Sequence, residues 1–134
     1  MKRAIIFQIL TLLYLGTVAF LCFARFPVMN EVPPVIFNIP MDKIVHFLMF
    51  LPFPILAFFS LPIKRKGVVR TLLVLVAIFL LGCLIAWGTE WVQGMLPYRY
   101  MDAADFRADR IGLATGTMIT FFVKLLVKRP VADA

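Results

Sequence analysis

Four long apolar segments, separated by short polar or proline-rich stretches, dominate the pattern of the chain. They cover about residues 4–24, 43–61, 71–92 and 103–126. Each has about the twenty residues that an α-helix needs to cross a hydrocarbon core of roughly 30 Å. A helix also pairs its backbone groups internally, as lipid requires. The pattern predicts an all-α, integral membrane four-helix bundle that forms a single domain over residues 1–134.

Prolines divide the first half of this pattern. Residues 26–40 contain four of them, which predicts a loop with an interfacial segment around residues 35–37. Pro52 and Pro54 lie inside the second apolar segment and predict a kink there.

Small residues mark the surfaces where helices can approach closely. Gly82, Ala86 and Gly88 provide such surfaces in the third segment, and Gly112 and Gly116 do so in the fourth. We expect these five residues to lie at helix contacts.

The composition supports a membrane protein and excludes a soluble domain. The chain is 63% hydrophobic and 16% charged, against about 45–50% apolar residues in soluble domains. Its net charge of +7 does not predict nucleic-acid binding, because the basic residues lie at the ends of apolar segments. Cys22 and Cys83 lie within apolar segments and predict buried thiols without a disulfide framework. The first segment is long for a signal peptide, so we expect a retained helix.

The distribution of basic residues predicts which end of the bundle faces the cytoplasm. Most of them lie at the N-terminus, between the second and third segments, or near the C-terminus: Lys2, Arg3, Lys64, Arg65, Lys66, Arg70, Lys124, Lys128 and Arg129. By the positive-inside rule, both termini are cytoplasmic. Six of the seven acidic residues then lie toward the extracytoplasmic side.

A polar stretch at residues 87–112 interrupts this apolar pattern. Its polar residues are Glu90, Gln93, Arg99, Asp102, Asp105 and Asp109, and an earlier helix adds Asp42, Lys43 and His46. Residues three or four positions apart share a helix face. The fourth segment should therefore turn its acids, Gly112 and Gly116 into the bundle, while Arg107 and Arg110 take other faces. We predict one polar site at the extracytoplasmic end.

Individual residues of this site allow more than one interpretation. Asp42 and Asp102 could simply cap helices, or Asp42 could orient His46 as a base. Glu90 has no capping position and needs a partner such as Arg99, His46 or Lys43. One histidine with several carboxylates could hold a divalent ion. No recognised metal motif supports such a site, so we assign no metal ligand and leave the cofactor open.

The order and spacing of these motifs resemble the VanZ-like family of bacterial membrane proteins. The match comprises Asp42-Lys43-x-x-His46-Phe47, Glu90-x-x-Gln93, Arg99, Asp105, a polar residue at 109, and glycines at 112 and 116, over roughly residues 40–120. This chain has Asp109 where the family usually has asparagine. The resemblance implies a multi-pass protein of the bacterial cytoplasmic (inner) membrane and a link to low-level resistance to the glycopeptide teicoplanin. It implies no established reaction.

The hypothesis from the sequence is a site that binds a phospholipid or a lipid-linked envelope precursor. Lys43 and Arg99 would contact its phosphate, with Glu90 and Asp105 holding the two cations in place. In a rival hypothesis, the protein is a membrane-embedded enzyme that acts on a phosphate-bearing lipid. The catalytic residues would then be His46, Glu90 and Asp105, and the substrate-binding residues Asp42, Lys43, Gln93, Arg99 and Asp109. In a third, the polar groups only lock the helices together in a structural or interaction protein.

Overall fold

The computed structural model describes residues 2–24, 35–62 and 67–127. Within these ranges, four helices are long and apolar enough to cross a membrane: Lys2–Phe23, Met41–Ser60, Val68–Met95 and Ala103–Val127. Their ends lie within about three residues of the predicted ones. The prediction of an all-α four-helix bundle is confirmed, and the protein is a multi-pass membrane protein.

Two short strands and five helical elements make up the described part of the chain. In chain order they are α1 (Lys2–Phe23), β1 (Val35–Ile36), β2 (Ile39–Pro40), α2 (Met41–Phe50), α3 (Pro52–Ser60), α4 (Val68–Met95) and α5 (Ala103–Val127).

The second span consists of α2 and α3, which meet at Leu51. Leu51 keeps helical backbone angles (φ −57°, ψ −42°), and its N–H donates to the carbonyl of Phe47. The helical path therefore continues across the junction. The boundary between α2 and α3 lies next to the two prolines, because Pro52 and Pro54 supply no N–H groups to the hydrogen bonds of the helix.

A short hairpin precedes α2, where the sequence predicted a loop with an interfacial segment. β1 and β2 pair antiparallel, with Val35 opposite Pro40. Phe37 and Asn38 form the turn, both with positive φ (50° and 62°), as in the tight turns that suit a two-residue hairpin. The Phe37 side chain is exposed.

Helix α5 packs against α2, α3 and α4, and α1 packs mainly against α3. Close approach of α5 depends on two glycines, as predicted. A Cβ at Gly112 would collide with the carbonyl of Phe47, and one at Gly116 with the carbonyl of Leu51. These glycines let the backbone of α5 touch the backbone of the second span.

The small residues of α4 are only partly confirmed as a packing surface. Ala86 is fully buried, and a Cβ at Gly82 would lie 2.5 Å from Leu113. The prediction for Gly88 is wrong, because no atom of the described residues lies within 4 Å of a Cβ built there. The reason is helical phase: the buried face of α4 continues from Ala86 to Thr89 and Glu90 and leaves Gly88 to one side.

The charged residues of the bundle concentrate at what we call the polar end. The C-terminal ends of α1 and α4 meet the N-terminal ends of α2 and α5 there, as the contacts between Gln93 and Cys22 and between Lys43 and Asp102 show. Large apolar side chains are exposed along the helices, including Leu12, Leu73 and Leu84. Such surfaces suit lipid contact.

Candidate functional site

The polar end contains two adjoining clusters. The lysine cluster comprises Asp42, Lys43, Asp102 and Asp105. The histidine cluster comprises His46, Glu90 and Asp109. Exposure falls from one to the other: the Asp42 side chain is 30% exposed, that of Glu90 is 2% and that of Asp109 is 0%. The site thus runs from the surface of the bundle into its interior.

Lys43 is surrounded by carboxylates from two helices. Its Nζ lies 2.7 Å from Asp42 and 2.6 Å from Asp102, and it also bonds Asp105. An ammonium group has three N–H donors, so these three acceptors occupy all of them. The sequence hypothesis gave Lys43 a contact with phosphate, but in this geometry it has no donor left for a ligand.

Asp102 has two structural roles at the start of α5. Its Oδ1 accepts the backbone N–H of Ala104 at 2.8 Å, which confirms the capping interpretation. Its other oxygen accepts a hydrogen bond from Lys43, and this bond is the main cause holding the pKa of Asp102 below its ordinary value.

Asp109 orients His46 through Nδ1. His46 Nδ1 lies 2.8 Å from Asp109 Oδ1, while His46 Nε2 lies 3.5 Å from Asp105 Oδ2. An ionised Asp109 can only accept, so Nδ1 donates. The prediction that Asp42 orients His46 is wrong: Asp42 bonds Lys43, because the approach of α5 brings other carboxylates to the imidazole.

Two buried carboxylates of the histidine cluster keep an oxygen without a partner. Glu90 Oε2 accepts the backbone N–H of Asp102 at 3.2 Å, but Glu90 Oε1 has no hydrogen bond among the described residues. Asp109 Oδ2 likewise has none. Glu90 Oε1 faces His46 Nδ1 at 3.8 Å. Since leaving a buried charged group unpaired is costly, these two oxygens are candidate contacts for a ligand or an ion.

The histidine cluster also has the geometry of a ligand set. His46, Glu90 and Asp109 each place one potential ligand atom within 4.8 Å of the other two. Asp42, Asp102 and Asp105 form a second such group, but Lys43 already supplies the cation there. The sequence assigned no metal ligands because these residues come from three different helices and form no local motif.

Gln93 and Arg99 bind the end of α1. Gln93 donates to the carbonyl of Cys22 at 2.9 Å, and Arg99 Nη2 donates to the carbonyls of Leu21 and Ala24. The last carbonyls of a helix lack intrahelical partners, so these side chains act as its cap. Arg99 Nε is buried and has no acceptor among the described residues. The predicted ligand contacts of Gln93 and Arg99 stay predictions.

Two tyrosines support this end of the molecule and were missed from the sequence. Tyr98 donates to the carbonyl of Phe23 at 2.6 Å, and Tyr14 donates to the carbonyl of Met49. Both acceptors are backbone atoms, which leave no trace in the residue pattern. The position of Tyr98 beside Arg99 in the α4–α5 turn was the only available signal.

The comparisons with known proteins return no relative. No family model matches the chain, and no curated protein or solved structure matches it significantly. The resemblance to the VanZ-like family therefore stays a prediction that rests on the motif residues.

Proposed function

We propose that this protein binds a phosphate-bearing amphiphile, a phospholipid or a lipid-linked envelope precursor, at the polar end of its helix bundle. The resemblance to the VanZ-like family adds two parts to the proposal. The membrane is the bacterial cytoplasmic membrane with the polar end on its extracytoplasmic side, and occupancy of the site alters susceptibility to teicoplanin.

The observation that carries the proposal is the set of buried polar atoms without partners. Among the described residues they are Asp42 Oδ1, Glu90 Oε1, Asp109 Oδ2 and Arg99 Nε, and all four belong to residues at the polar end. A cluster that only locked helices together would pair its buried groups. Ionisable residues kept inside a membrane protein usually mark a ligand or ion site.

The structure changes which residue we propose for phosphate contact. Lys43 is saturated by three carboxylates, whereas Arg99 retains a buried N–H donor. We therefore assign the direct phosphate contact to Arg99. The exposed apolar surfaces of the helices adjoin this end and suit the acyl chains of an amphiphile.

Native mass spectrometry of the gently solubilised protein tests this function. Wild type is compared with Glu90→Gln and Arg99→Ala, and every lipid that co-purifies is identified. The matched control is Arg70→Ala, which removes an exposed arginine from the first turn of α4, at the opposite end.

The expected result is a defined phosphate-bearing lipid that is retained by wild type and Arg70→Ala and lost from both site variants. Bulk phospholipid that none of the substitutions changes would overturn the proposal and favour the structural interpretation.

A second candidate function, turnover of a phosphate-bearing lipid, is favoured by one observation. The bond between His46 and Asp109 holds the imidazole in a fixed tautomer, as a general base requires. Purified protein incubated with the lipid found by mass spectrometry separates the two functions. Product formation that is lost in His46→Gln, with the lipid still bound, indicates an enzyme; lipid recovered unchanged indicates a binding protein.

A further inference from the structure

We propose that His46, Glu90 and Asp109 bind a divalent first-row transition cation, with Zn²⁺ and Mn²⁺ as the candidates. The site lies within the bundle and joins three helices: α2 provides the imidazole, α4 the glutamate and α5 the aspartate.

The distances are close to those that a metal centre needs. With metal–ligand bonds of about 2.0–2.2 Å, neighbouring ligand atoms of a tetrahedral site stand roughly 3.4 Å apart. His46 Nδ1 lies 2.8 Å from Asp109 Oδ1 and 3.8 Å from Glu90 Oε1, so the observed separations lie on either side of this value. Small side-chain movements would bring the three groups onto one ion, with the proton of the neutral imidazole moving from Nδ1 to Nε2, which faces Asp105.

The unpaired oxygens point to a cation and not to another donor. Glu90 Oε1 and Asp109 Oδ2 are buried acceptors, and no donor of the described residues forms a hydrogen bond with either of them. Their two negative charges match the charge of one divalent ion when His46 is neutral. The lysine cluster next to it already contains a cation, because Lys43 bonds a carboxylate oxygen of each of its three acidic residues.

The ligand set selects the class of ion. An imidazole nitrogen with two carboxylates suits Zn²⁺ or Mn²⁺, whereas Ca²⁺ takes six to eight oxygens and Mg²⁺ favours oxygens and water. Asp105 stands near the second nitrogen of the imidazole, 3.5 Å from Nε2. A carboxylate at that position commonly orients a metal-bound histidine. Three protein ligands would leave at least one coordination position open.

The open coordination position suggests how the phosphate group of the proposed ligand is held, and this step rests on the proposed function. Among the described residues, the lysine and histidine clusters together contain five carboxylates, from Asp42, Glu90, Asp102, Asp105 and Asp109, and one permanently charged cation, Lys43. Such a site repels an anionic phosphate. A bound divalent ion would offset this charge and offer a phosphate oxygen a ligand position beside Arg99.

The test measures binding of the metal alone to lipid-free protein. Wild type in detergent is stripped with a chelator and equilibrated with Zn²⁺ or Mn²⁺, and bound metal is counted by elemental analysis after dialysis. We expect about one ion per chain, with affinity reduced about tenfold or more in Glu90→Gln and in Asp109→Asn. The matched control Asp42→Asn removes a carboxylate that is not a proposed ligand, and it should reduce affinity less than either ligand variant does.

A spectroscopic readout identifies the histidine independently of the affinities. Bound Mn²⁺ should show nitrogen coupling in pulsed electron paramagnetic resonance, and His46→Gln should abolish it. This measurement keeps the proposal testable if a carboxylate variant fails to fold, which its helicity and elution in size exclusion would show. Sub-stoichiometric binding, equal losses in Asp42→Asn and Glu90→Gln, or Mn²⁺ without nitrogen coupling would overturn the proposal. The metal-binding experiment contains no lipid, so its failure leaves the mass-spectrometry result on lipid binding unchanged. In the same way, failure to find a bound lipid leaves the metal-binding result unchanged.

Discussion

His46 Nδ1 of α2 lies 2.8 Å from Asp109 Oδ1 of α5, and this bond joins two buried side chains from different membrane spans. In apolar surroundings each group depends on the other for a hydrogen-bond partner. The effect of a substitution therefore depends on whether it leaves the partner satisfied.

We predict that His46→Ala destabilises the protein much more than Asp109→Asn. Removing the imidazole leaves the buried Asp109 without its hydrogen-bond donor, and breaking such buried pairs costs about 3–5 kcal/mol. An asparagine at 109 can still accept from Nδ1 and removes one charge. Thermal unfolding in detergent measures both variants. Equal losses would show that the bond itself contributes little.

Lys43→Met should also destabilise the protein, by about 2–3 kcal/mol, since it leaves three neighbouring carboxylates without their cation; partial exposure of these groups reduces the effect. Asp42→Asn is the matched control and should cost about 1 kcal/mol or less, because it removes the most exposed of the three acceptors. The same denaturation assay compares them. A milder effect for Lys43→Met than for Asp42→Asn would contradict the proposed order.

The lysine cluster predicts a response to acid. Lys43 lowers the pKa of Asp102 in the folded protein, so the ionised carboxylate stabilises the fold at pH values above the ordinary aspartate pKa. This contribution is lost as the pH falls through the lowered pKa. Wild type should therefore lose more stability than Asp102→Asn between about pH 5 and pH 2. Parallel stability curves for the two proteins would rule out this role for Asp102.

Two glycine substitutions should separate close packing from helix propensity. Gly112→Ala places a Cβ against the carbonyl of Phe47, and such overpacking costs about 1–3 kcal/mol or more. Gly88→Ala meets open space and should be neutral or stabilising by up to about 1 kcal/mol. Melting temperatures of the two variants check this, and a similar loss in both would refute the packing argument.

The cap on α1 predicts different effects for two neighbouring side chains. Gln93→Ala leaves the buried carbonyl of Cys22 unpaired and should cost about 1–3 kcal/mol. Tyr98→Phe removes a bond at an exposed site, where water can replace it, and should cost less than about 1 kcal/mol. Hydrogen exchange at the last turn of α1 should rise more in Gln93→Ala. The reverse order would exclude this account of the cap.

Labelling of single cysteines tests the predicted orientation. Tyr100 and Val69 are exposed at opposite ends of the bundle. In intact cells, an impermeant thiol reagent should label Tyr100→Cys and leave Val69→Cys unlabelled, with the parent chain measuring the background from Cys22 and Cys83. Labelling of Val69→Cys alone would place the polar end in the cytoplasm.

The sequence predicted the spans and the inward face of α5, because hydrophobic periodicity and small-residue spacing act within one helix. Asp109, Gly112 and Gly116 share this face by simple helical geometry, and all three are buried. Arg107 and Arg110 are exposed on other faces, as expected.

The pairing of charges could not be predicted, because it depends on which helices become neighbours. Helical spacing favoured Asp42 as the partner of His46, yet packing of α5 against α2 provides Asp109 instead. The attachment of Gln93 and Arg99 to α1 escaped prediction for a related reason. Their acceptors are backbone carbonyls, which every residue type carries.

The side-chain cap on α1 also constrains the order in which the protein assembles during synthesis. The first span leaves the ribosome long before residues 93–99, which supply the donors for Leu21, Cys22 and Phe23. At about 5–20 residues per second, the end of α1 waits several seconds for these partners. Until then it must rely on water or lipid headgroups. Packing of α1 against α3 can precede this step, but capping of the end of α1 is a late event, and a nascent chain that stops before Gln93 lacks the groups that complete it.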